Sequence, residues 1–155
     1  MAEDLRKGAL LMAISGVAFI GYGVVFIIWN FVGDGFELGV ATLNGVSRSE
    51  LSAIEPGVTD YISHLHVATA AFIISTGIAV TGLAWYGVAR GQSWAWGTAV
   101  LAAVLGLAVA LPMHWMDLFD YGWITHLGPV YLAAVVFVVG AGWAFQGLKA
   151  AVPVG

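Results

Sequence analysis

The side chains with the most chemistry in this sequence are four histidines, His64, His66, His114 and His126. Imidazole ligates metals, carries protons near neutral pH and hydrogen-bonds at both nitrogens. Two of the four have a carboxylate at helical spacing: Asp60 lies four residues before His64, and Asp117 three after His114. Such a carboxylate fixes the tautomer of an imidazole and turns its other nitrogen towards a metal. Three imidazoles and a carboxylate would suit zinc, copper or non-haem iron. Two facing imidazoles would instead ligate a haem iron from opposite sides. His64 and His66 stand about 200° apart on a helix at ~100° per residue, so only one of them faces a bundle interior. The candidate metal set is therefore His64 or His66 with His114 and His126, completed by Asp117 or Asp60. Without a metal, the same residues read as polar groups at a membrane boundary, or as a pH sensor. There is no Cys, which removes disulfides, thiol catalysis and Cys-held clusters.

The elements that must position these residues are set by composition. Of the 155 residues, 61% are hydrophobic and 9% charged, against about half and a quarter in ordinary soluble domains. Mean hydropathy is +0.94. A soluble globule of this size could not hide that much apolar surface. The net charge of −4 and only five Lys and Arg leave no basic patch for nucleic acid. The reading is an integral membrane protein.

A membrane helix needs about 20 mainly apolar residues. Four stretches qualify, at about 8–32, 62–88, 94–113 and 126–147. The expected fold is all-α, a four-transmembrane-helix bundle in a single membrane domain over 1–155. The first stretch is too long for the apolar part of a signal peptide, and no small-x-small cleavage site follows Trp29 and Asn30, so it is read as a span. Arg6, Lys7, Arg90 and Lys149 fall on one side of this topology and Arg48 alone on the other. The excess of positive charge marks the cytoplasmic side, so both termini are expected there, with the chain a multi-pass protein of the cell membrane. Seven acids (Asp34, Glu37, Glu50, Glu55, Asp60, Asp117 and Asp120) share the outer side with all four histidines. Trp29, Tyr61, Trp115 and Trp123 fit an outer aromatic belt, and Trp85, Tyr86, Trp94, Trp96 and Trp143 an inner one.

The inner loop, Ala89 to Ser93, is a tight turn that makes the second and third spans antiparallel neighbours. The outer loop of about 33–61 is long. Within it Ser47-Arg48-Ser49-Glu50 fits a capping box. Leu51 and Ile54 then share one face of a short amphipathic helix, and Pro56 suits the first turn of another helix that leads into the second span. Small residues at four-residue spacing let helices approach closely in lipid. Ala102, Gly106 and Ala110 form such a stripe on the third span, and Gly140 and Ala144 on the fourth. These stripes are read as packing faces, with room for a flat cofactor as the alternative. Between the boundaries lies no Asp, Glu, Lys, Arg or His, which argues against an ion-coupled carrier.

Arg90-Gly91-Gln92-Ser93-Trp94-Ala95-Trp96 resembles the entry to the third helix in small four-span prokaryotic membrane proteins. There a basic turn leads into Gly-x-x-Trp-Ala-Trp. Ser47 to Asp60 and His126-Leu127-Gly128-Pro129 fit the same resemblance, which covers about Ser47 to Gly147. Some of these proteins are grouped as similar to the DoxX-like family, and that resemblance implies redox or quinone-linked systems. No catalytic residue carries over. A four-span b-type cytochrome is the other comparison, but this chain lacks a second histidine layer at the inner side. The leading functional expectation is a non-catalytic accessory or assembly subunit of a larger membrane complex, partnered by other membrane subunits or by its own copies. The rivals are a metal- or haem-binding redox protein built on the outer histidines, and a binder of a lipid or quinone between the spans.

Overall fold

The computed structural model describes residues 2–116 and 118–151. Its elements in chain order are α1 (Ala2–Val32), a two-stranded hairpin of β1 (Thr42–Leu43) and β2 (Val46–Ser47), α2 (Arg48–Ile54), α3 (Pro56–Gly82), α4 (Ser93–Ala110), α5 (Trp123–His126) and α6 (Gly128–Ala151). A π turn (Leu83–Gly87) and a 3-10 turn (Val88–Arg90) extend α3, and a 3-10 turn (Leu111–Met116) extends α4. Four of these helices, Glu3–Val32, Pro56–Arg90, Ser93–Met116 and Gly128–Ala150, are long and apolar enough to cross a membrane. The chain is thus a helical protein with the makings of a multi-pass membrane bundle. Two of the spanning helices begin before the expected boundaries, α1 at Ala2 and α3 at Pro56. Pro56 sits in the first turn of α3, where a missing N–H costs nothing.

α1 is the central helix. It packs along α6 on one side and along α3 on the other, antiparallel to both. Small residues allow this. A Cβ on Gly8 would fall 2.6 Å from the Gly140 carbonyl oxygen, and one on Gly140 would fall 2.8 Å from Met12 N. On the other face, a Cβ on Gly16 would lie 2.9 Å from the Gly77 carbonyl oxygen. The fourth-span stripe Gly140–Ala144 is therefore a packing face, as its spacing implies.

α4 behaves differently. Near the tight turn it is anchored well: Ala95 and Ala99 are fully buried, Trp96 Nε1 donates to the Ala141 carbonyl at 2.9 Å, and the Trp96 ring stacks on Phe145 at 4.9 Å. Trp96 is thus a packing residue and not a belt residue. Gly91 closes the turn at φ +78°, a left-handed conformation suited to glycine. Beyond that end α4 leaves its neighbours. It meets α3 mainly through the π turn, so the expected side-by-side pairing of the second and third spans holds only there. A Cβ on Gly106 would meet nothing within 4 Å. The stripe Ala102, Gly106, Ala110 is exposed and lines a cavity, which corrects its reading as a helix-packing face.

The segment joining α1 to α3 folds over the end of the bundle away from the tight turn. Asn44 and Gly45 both have positive φ, +49° and +82°, in the hairpin turn between β1 and β2. Asn-Gly is the residue pair that favours such a turn. The capping box forms: Ser47 N donates to Glu50 Oε2 at 2.8 Å, and the Ser47 hydroxyl accepts from Glu50 N at 3.3 Å. Arg48 donates to the Asn30 carbonyl at 2.8 Å, satisfying a free carbonyl in the last turn of α1 and placing a cation at that helix's negative end.

Candidate functional site

The departure of α4 opens a cavity of about 700 Å³ between α1, α3, α4 and α6. Its wall is almost wholly apolar, with Phe19, Phe72, Val100, Leu107 and Phe137 among its lining residues. Its ionisable groups converge at one end, where Glu37, His114 and His126 line it beside Tyr22 and Phe119, while Ser15, Thr69 and Thr76 put hydroxyls along the wall.

His114 comes from the 3-10 turn that ends α4, and His126 from the last residue of α5. Their rings meet edge to edge, with Nε2 to Nε2 at 2.9 Å. The other nitrogen of each ring faces a carbonyl: His114 Nδ1 the Ala110 oxygen at 3.2 Å, and His126 Nδ1 the Leu38 oxygen at 3.0 Å. Aromatic rings wall the pair. Tyr121 lies 5.5 Å from the His114 ring and 5.4 Å from the His126 ring, and its hydroxyl donates to the His114 carbonyl at 3.0 Å. His126 is buried at 4% exposure, and burial holds its imidazole below its usual pKa against the pull of the Leu38 carbonyl.

Three of the remaining candidate ligands lie elsewhere. His66 is the inward member of its pair on α3. It is half-buried and its ring sits 5.3 Å from Phe26. His64 and Asp60 are exposed on α3. Asp117 falls outside the described residues. Among the described residues no group of three or more His, Cys, Asp or Glu is placed to hold a metal ion. Of the candidate set, the described residues bring together His114 and His126, a two-ring pair whose Nε2 atoms are engaged with each other.

The residue that helical-spacing arguments pass over is Glu37. It lies in the connection after α1, between Phe36 and Val40, which are 3% and 1% exposed. The signal for it was the apolar alternation of Phe36, Leu38 and Val40 in an otherwise polar loop, the mark of a segment that folds inward. Several bonds fix this segment. His126 holds Leu38, Arg48 donates to the Gly35 carbonyl at 3.5 Å, and Gly122 N donates to the Gly39 carbonyl at 2.6 Å. Gly39 has φ +82°, and a Cβ there would lie 2.9 Å from His126 N. The clamped segment directs Glu37 to the cavity. Burial pushes its carboxyl up to about 7, while the nearby His114 opposes that rise. Among the described residues, the carboxylate has no hydrogen-bond partner.

Compared with known proteins, the chain matches no family model, no curated protein and no solved structure.

Proposed function

We propose that the protein is a membrane-embedded binder of a lipophilic molecule, which it holds between its spans. The observation that carries this reading is the largely apolar cavity with its ionisable groups at one end. Binding sites for small molecules are commonly 300–1,000 Å³, mostly apolar, with a few placed polar groups that fix orientation. The cavity volume of about 700 Å³ falls within that range. A ligand with a long apolar body would occupy the wall region and set its head against Glu37 and the histidine pair. The sequence resemblance to DoxX-like four-span proteins is in keeping with such a ligand. By the distribution of Lys and Arg, the polar end faces outward and both termini are cytoplasmic.

Native mass spectrometry of protein released from its own membrane tests the reading. The expected result is a bound lipophile on the wild-type chain that is lost in Gly106→Trp, where the new ring fills the cavity from α4. Equal retention by the variant would place the lipid on the outer surface and overturn the proposal.

A second reading, a subunit of a larger membrane complex, draws on α4 alone. Only 11% of its most apolar window is buried, against 33% for α1. A neighbouring subunit would cover that face. Cross-linking from α4 in the native membrane tests this, and a chain that yields no cross-linked partner or copy would count against it.

A further inference from the structure

The geometry points to a single-chain lipophile of about eighteen carbons as the ligand, lying extended along α4 and α6 with the stacked rings of Trp96 and Phe145 setting its length. This deepens the binding reading above and rests on it.

Two ring contacts bound the cavity lengthwise. At the end near the tight turn, Trp96 of α4 stacks on Phe145 of α6 at 4.9 Å, and both rings line the cavity. The Trp96 indole is fixed there by its 2.9 Å hydrogen bond to the Ala141 carbonyl. The buried cluster of Met12, Val88, Ala95 and Ala99, against which Trp96 packs, closes the bundle at that level. At the other end the His114 and His126 ring centroids lie 5.0 Å apart, and these rings line the cavity too. Between the two contacts α4 presents Ala102, Gly106 and Ala110, whose small side chains leave the space open.

Helix geometry converts these contacts into a length. His126 to Phe145 spans about 28 Å at about 1.5 Å per residue. Contact distances of about 3.5–4.0 Å at each end leave about 20 Å for a chain. An extended chain advances about 1.2 Å per bond, from a limit of about 3.3–3.6 Å over the three backbone bonds of a residue. About eighteen carbons therefore fill the space. Spread over about 28 Å, the cavity volume of about 700 Å³ gives a mean section of about 25 Å². One chain whose carbons touch the walls at about 3.5–4.0 Å fits that section, and two side by side do not. A shorter chain leaves unfilled space whose lining loses dispersion contacts. A longer one meets the Trp96–Phe145 stack, and must bend out between the helices or draw its head away from Glu37. Entry needs no aqueous route, because Phe72 and Val138 line the cavity and are 74% and 67% exposed on sides that lipid would cover.

A chain-length series tests this. The full-length protein in detergent is equilibrated with an equimolar mixture of saturated 1-alkanols of about 10, 14, 18, 22 and 26 carbons, chosen around the length that fills the space, and native mass spectrometry reads which chain stays bound. The wild type is expected to retain the eighteen-carbon alcohol most, with the shortest and longest each lower by about threefold or more, since a void or a protruding end costs packing. Two variants move the floor in opposite directions. A Cβ on Gly142, which lines the cavity near the stack, would meet nothing within 4 Å, so Gly142→Leu has room to fill that end and should shift the preference to shorter chains. Phe145→Ala removes one ring of the stack and should shift it to longer chains. Thermal unfolding confirms that each variant remains folded. A flat wild-type distribution, a maximum at the shortest or longest chain, or the wild-type distribution in both variants overturns the length assignment. With one-to-one binding that Gly106→Trp abolishes, any of these leaves the cavity reading in place. Retention of no alkanol by the wild type overturns both.

Discussion

Glu37 and His126 set the behaviour of the site at the scale of single residues. A half-buried carboxyl whose pKa is raised by desolvation, as at Glu37, holds its proton more tightly folded than unfolded. Between its ordinary value of 4.5 and about 7 the folded state binds more protons, so stability falls as pH rises through that window. Full use of that interval is worth about 3 kcal/mol at most, at 1.36 kcal/mol per unit. Thermal unfolding in detergent at pH 5 and pH 8 should show wild-type protein losing stability towards pH 8, and Glu37→Gln losing much less. A Glu37→Gln protein with the wild-type pH profile would contradict the burial of this carboxyl. Replacing His126 by Phe keeps a ring but leaves the Leu38 carbonyl without its donor and His114 without its partner. The cost should be about 1–3 kcal/mol, the usual penalty for an orphaned buried polar group, read from the unfolding midpoint. The sequence makes the histidines legible as a group, because they share one end of the topology. It does not make the ring pair legible. That contact depends on a 3-10 turn carrying His114 past the end of α4 and a one-turn helix presenting His126, and neither leaves a periodic pattern.

At the scale of elements, α1 is committed to close packing and α4 is not. Gly8→Val would drive a branched side chain against α6 backbone, and should destabilise the fold by 1–3 kcal/mol or more, as overpacking does. Gly106→Leu faces open space, so its unfolding should stay within about 0.5 kcal/mol of wild type, as for sites away from packed features. The same variant should weaken binding of a lipophilic probe. If Gly106→Leu proves as damaging as Gly8→Val, α4 packs more tightly than its exposed stripe implies. Gly39→Ala belongs at this scale too. A left-handed backbone costs an L residue about 1–2 kcal/mol, and the added methyl meets His126 N. The segment carrying Glu37 should shift, with loss of both stability and lipophile binding. Four-residue spacing marks the stripes on α4 and α6 alike, and nothing in the sequence tells which is packed. The difference arises because Trp96 fixes α4 at one end only, through Ala141 and Phe145. The capping box and the Pro56 helix start were legible because their signals are local, completed within a few residues.

At the scale of the whole molecule, the spans follow directly from hydropathy, since the length of an apolar run is all that spanning requires. The cavity does not follow from it. A bundle of four well-packed helices and a bundle with one helix standing off have the same hydropathy. What separates them is the asymmetric pairing of α1 with α3 and α6, and the α1–α3 connection drawn inward by Phe36 and Val40. The central claim is that this cavity holds one lipophilic molecule with its head at Glu37. Titration of 1-hexadecanol into the detergent-solubilised wild-type chain and into Gly106→Trp tests it most directly. Saturable one-to-one binding to the wild type is expected, with its loss in a variant that remains folded. Non-saturating uptake, or equal binding by both proteins, would contradict it.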